Sequence, residues 1–138
     1  MTKHLLISLI SALSVIGFMP SCSIDKETEE WERMTWLIYT PELQNSNIID
    51  VPAAGQTYRF VCTNYSYFWI CDAEIIDGDT THYHPHETFE ALTAPGLQVK
   101  VADNVCTVTV EPSPSGAARE IDLTLQAGNT FSHFVFRQ

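Results

Sequence analysis

The chain has 138 residues, 45% of them hydrophobic, and carries 7 Lys+Arg against 17 Asp+Glu for a net charge of −10. That acidity excludes nucleic acid, whose phosphate backbone is held by basic surface, and it gives no electrostatic hold on anionic lipid. The length suits one domain with one core.

The first element is an N-terminal run. Met1-Thr-Lys-His4 is a basic head, Leu5 to Phe18 is almost unbroken apolar sequence, and Met19-Pro20-Ser21-Cys22 closes it. The apolar part falls short of the about 20 residues of a membrane span and has secretory length. It resembles a bacterial lipoprotein signal. The resemblance implies removal of residues 1–21, acylation of Cys22 and a stable membrane anchor, since two or more chains hold where one binds reversibly. Loss of Lys3 with the signal leaves 6 Lys+Arg against 17 Asp+Glu, a balance of −11. Ser23-Ile-Asp-Lys-Glu-Thr-Glu-Glu30 is polar and charged, so residues 22–35 read as an acidic, solvated tether. The run is similar to the acidic export signal of Bacteroidetes lipoproteins, which implies an outer-membrane, cell-surface location.

From Trp36 onward the period is two. Trp36–Thr40 and Asn47–Val51 read as the first strands. In Thr57–Thr63, Tyr58, Phe60 and Cys62 share a face. Tyr67–Asp72 is a strand with Trp69 and Cys71 on one side, and Leu97–Val101 is a short one. Val105–Glu111 places Cys106, Val108 and Val110 inward; Glu120–Leu125 does the same for Ile121, Leu123 and Leu125; Phe131–Phe136 does it for Phe134 and Phe136. Turn residues separate these runs at Pro52–Gly55, Asp77–Asp79, Ala94–Gly96, Pro112–Gly116 and Ala127–Asn129. The fold class is therefore all-β, a β-sandwich of seven or eight strands. Residues 28–36 and 86–92 each allow a helical turn.

Cys62, Cys71 and Cys106 remain once Cys22 is acylated. An odd number cannot all pair. One disulfide with a free thiol, or three buried free thiols acting as small apolar residues, both fit. The absence of CxxC spacing argues against a redox site or zinc knuckle.

Val51-Pro-Ala-Ala-Gly-Gln56, the alternating strand that follows, Asn64 and then Trp69 resemble the start of a BACON domain, a Bacteroidetes-associated carbohydrate-binding module. Val110-Glu-Pro-Ser-Pro-Ser-Gly-Ala-Ala-Arg119, the strand of Ile121, Leu123 and Leu125, and the closing Val135-Phe-Arg-Gln138 are similar to its far end. The resemblance covers roughly residues 47–138, with residues 36–138 as the domain. It implies an immunoglobulin-like sandwich and a role in binding glycans or mucin. The middle, residues 72–104, departs from the pattern.

Tyr65, Tyr67, Trp69 and Tyr83 form the candidate sugar platform, because flat rings stack on the apolar faces of pyranoses. Asn64, Asp72 and Asp79 are candidate partners for the hydroxyls. Trp69, in phase with Cys71, also reads as core. His82-Tyr-His-Pro-His86 puts three imidazoles at i, i+2 and i+4, and His82, His84 and His86 could meet a metal beside Asp77 or Asp79. A polar loop is the stronger reading, because alternate side chains of an extended chain stand roughly 7 Å apart. Arg119 reads as a bracket that fixes a loop through carbonyls or a carboxylate. No nucleophile elbow, phosphate loop or zinc-protease helix is present, and the chain reads as a non-enzyme without cofactor. The expected partners are carbohydrate, the membrane through Cys22 and, as the alternative, a surface protein complex in which the domain is structural.

Overall fold

The computed structural model describes residues 31–38 and 47–138. The signal, Cys22 and the tether as far as residue 30 lie outside the described residues, as do residues 39–46. Among the described residues there is no helix. Ten strands form two five-stranded sheets. They are β1 (Trp36–Ile38), β2 (Ile48–Asp50), β3 (Gln56–Cys62), β4 (Trp69–Asp77), β5 (Asp79–Tyr83), β6 (Ala91–Ala94), β7 (Leu97–Ala102), β8 (Val105–Val110), β9 (Glu120–Ala127) and β10 (Thr130–Arg137). One sheet has the order β1-β3-β8-β7-β6 and the other β2-β10-β9-β4-β5. All neighbours are antiparallel except β2 and β10, which run parallel.

Alternation drives the packing. Phe60, Cys106, Val108, Ile121, Leu123, Leu125, Phe134 and Phe136 fill the space between the sheets, each at most 1% exposed. Burying a large aliphatic or aromatic side chain completely contributes about 1.5–3 kcal/mol, so this layer is the main source of stability. Phe60 stacks on Phe134 at 4.6 Å, and Trp36 packs edge-on against Phe134 and Phe68 where β1 meets the rim.

Four expectations change. The strand count among the described residues is ten, because β5 has no apolar alternation and β6, only four residues long, overlaps the stretch that allowed a helical turn. β5 is an edge strand whose residues 79–82 are all exposed, so it has no apolar face to read; the Asp77-Gly78 turn, with Gly78 at φ +74°, is the signal that marks its hairpin. Residues 86–92 form no helix, since Ala91 and Leu92 pair with Lys100 and Val99. Residues 31–35 are not helical and lie against the sandwich, with Met34 buried. Trp69 is only half-buried, because Phe68 and Ile70, both 0% exposed, take the core positions on either side of it.

Candidate functional site

The proposed aromatic cluster divides into three parts. Asn64 and Tyr65 are committed to the N-terminal segment. The Asn64 side chain accepts from the Thr35 N–H at 2.9 Å and donates to the Arg33 carbonyl at 2.8 Å. The Tyr65 hydroxyl donates to the Glu32 carbonyl at 2.6 Å, and its ring stacks on Trp31 at 6.2 Å. Burial beneath this segment, and next the Glu32 carboxylate, raise the Tyr65 phenol above its ordinary value. These two residues therefore bind the chain's own strap at Trp31–Thr35.

Tyr67 and Trp69 form the open part. Tyr67 is 51% exposed and leans over Trp69 with ring centroids 6.1 Å apart and planes at 37°. Trp69 begins β4 on the outer face of its sheet, opposite Gln126 of β9, which is opposite Phe131 of β10. Residues directly opposite on paired strands share a face, so Phe131, Gln126 and Trp69 make one outward row. Phe131 is 52% exposed and was not anticipated; its outward place in an alternating strand is the sequence signal. Gln126 is held in place, accepting from the Cys71 thiol at 3.0 Å and donating to the Gly128 carbonyl at 2.8 Å. A register shift between Ile70 and Asp72 adds one residue to β4. This bulge lets Asp72 face out beside Thr124, one step along from the aromatic row.

Tyr83 stands elsewhere. It ends β5 opposite Ala73 and, with Ile75, Asp77, Asp79, Thr81 and Arg119, lines an open groove of about 320 Å³ at the sheet edge. Arg119, 5% exposed, seals the end of this groove. Its guanidinium donates to the side-chain oxygen of Gln138 (2.9 Å) and to the carbonyls of Pro95 (3.1 Å), Gly96 (3.1 Å) and Glu111 (2.8 Å). Burial lowers its pKa, opposed by Asp77 and Glu111. Arg119 thus brackets loops through carbonyls and an amide, with no carboxylate in the set.

His82 lies opposite Glu74, with 3.8 Å between Nδ1 and the carboxylate, and His84 and His86 follow on the exposed loop after β5. Among the described residues no three His, Cys, Asp or Glu side chains converge as a metal site would require. Cys62, Cys71 and Cys106 are all free thiols. Burial pushes the Cys106 thiol up to about 12, and burial followed by Asp72 raises Cys71.

No family model matches the chain, and no curated protein does. It is similar to a solved structure, an NMR structure of a protein from Bacteroides thetaiotaomicron. The TM-score is 0.65 at 27% sequence identity, over 78% of this chain and 86% of that one.

Proposed function

We propose that the protein is a surface-anchored lipoprotein whose single BACON-like, immunoglobulin-like module binds glycan without catalysis. The observation that carries the reading is the half-exposed Tyr67 ring leaning on Trp69, on a sheet face that also offers the Asp72 carboxylate. Flat apolar rings next to fixed acceptors suit a pyranose, which has apolar faces and a rim of hydroxyls. The strand order supports the immunoglobulin-like part. β4, β9 and β10 are neighbours with β5 added at the edge, and β3, β8 and β7 are neighbours in the other sheet; these correspond to the C-F-G and B-E-D groupings of that fold. The likeness to a Bacteroides protein agrees with the Bacteroidetes resemblance. Anchoring rests on the sequence around Cys22.

Affinity electrophoresis through gels containing plant polysaccharides or mucin tests the reading. The parent domain is expected to be retarded by at least one glycan, with retardation lost in Tyr67→Ala and kept in Tyr83→Phe. No retardation by any glycan in the panel would remove it. The alternative, a structural or protein-interaction module of a surface complex, draws on Leu37 and Ile48, which are 50% and 41% exposed on the short strands β1 and β2. Replacement of Cys22 by Ser should abolish incorporation of labelled fatty acid.

A further inference from the structure

We propose that the ligand is an internal stretch of an uncharged polysaccharide, lying across the strands from β10 to β4. This rests on the glycan reading and narrows it. The aromatic row runs perpendicular to the strands: Phe131 on β10, Gln126 on β9, Trp69 on β4, with Tyr67 over Trp69. Phe131 and Trp69 are two strand spacings apart, about 9.5 Å, so one sugar ring cannot cover both. The row lies on an open sheet face, which gives no end wall to select a chain terminus.

The charge on this face sets the ligand class. The same outer face carries Asp72 and Glu74 of β4, Asp122 and Glu120 of β9 and Asp50 of β2, and one guanidinium, that of Arg137 on β10. Arg137 is already engaged by Glu120 at 3.2 Å. The His133 ring is occupied by Thr124 at 3.1 Å and Asp122 at 3.5 Å, and His82 faces Glu74 at 3.8 Å. Carboxylates accept strongly from hydroxyls, which favours a neutral sugar chain, whereas a uronate, sulfate or sialate would meet like charge, most strongly at low salt.

Isothermal titration of the full domain separates the cases, using glucose, a soluble mixed-linkage glucan, a galactomannan, polygalacturonate and heparin at low salt. A neutral polysaccharide is expected to bind, with glucose at least about a hundredfold weaker. Phe131→Ala, on an exposed position, should weaken the polysaccharide about tenfold, the scale of one lost aromatic contact. Binding of polygalacturonate or heparin in preference to the neutral chains would overturn the proposal and leave the glycan reading standing. The same holds if Phe131→Ala has no effect while Tyr83→Ala abolishes binding, which would move the site to the β5 groove. No binding by any probe would remove both readings.

Discussion

The two ends of the sandwich each contain a glycine whose missing side chain admits a larger one. At one end a Cβ on Gly96, at φ +69°, would stand 2.7 Å from the Arg119 guanidinium. At the other end a Cβ on Gly128, at φ +54°, would fall on the Trp31 ring. Each φ lies where a side chain is strained. The occupants differ in how they are held. Arg119 is buried, and four hydrogen bonds tie it to three separate stretches of chain. Trp31 is 44% exposed and lies on Gly128 and Tyr65. The first end is held by a buried guanidinium with four hydrogen bonds; the second is closed by a strap and leaves aromatic surface in water. A polar bracket with every bond directed inward is structure, and rings left half in solvent are what a ligand can use.

The largest break in this comparison is Arg119→Ala. It would remove four hydrogen bonds and leave the Pro95 carbonyl without its donor, while the Gly96 carbonyl keeps the Glu111 N–H and the Glu111 carbonyl keeps the Gln138 amide, and should cost about 2–4 kcal/mol in denaturant unfolding. The proposed glycan affinity of the folded fraction should not change, because the aromatic row lies at the far end of β9. Next is Gly128→Ala, which should displace Trp31 for about 1–2 kcal/mol. Tryptophan emission should shift to the red and protease should cut within residues 31–35, while Arg119 remains in place. Unchanged emission and cleavage would mean that the strap is held mainly by Asn64 and Tyr65.

The effect that is smallest at neutral pH is titrated at the thiols. Well below the ordinary thiol value Cys106 is protonated in both folded and unfolded chain, so it adds no pH dependence there. Between the ordinary thiol value and about 12 the unfolded chain releases a proton that the folded one keeps. Stability should therefore fall as pH rises, by about 1.4 kcal/mol per unit at most from this group. Cys106→Val should flatten that slope, whereas replacing the half-exposed Cys71 on the aromatic face should flatten it less.

Much of this was legible from alternation, and for one reason. Val108, Val110, Leu123, Leu125, Phe134 and Phe136 sit on strands covered on one side only, so apolar and polar residues must alternate, and they do. β5 was not legible because an edge strand open to water imposes no such pattern, and β6 because its alternation, with Leu92 and Ala94 inward, lasts only four residues. The fate of Asn64 and Tyr65 was hidden for a different reason. Their partners, Arg33 and Glu32, are brought to them by tertiary folding alone, and nothing in the local sequence around either residue distinguishes a strap-binding tyrosine from a sugar-binding one. Trp69 allowed both a platform and a core reading because Phe68, Trp69 and Ile70 are all apolar and only the phase of the strand decides which of them faces out.

The parallel pairing of β2 with β10 has a consequence for how the domain forms. Ile48 is aligned with Val135 and Asp50 with Arg137, so the earliest part of this sheet rests on its final strand. A chain still emerging from a ribosome lacks that strand and cannot complete the sheet. Long-range closure of this kind also slows the search, toward the millisecond-to-second times of sandwich proteins. The polypeptide should therefore stay unfolded for most of its passage and reach its final form only when nearly all of it has arrived.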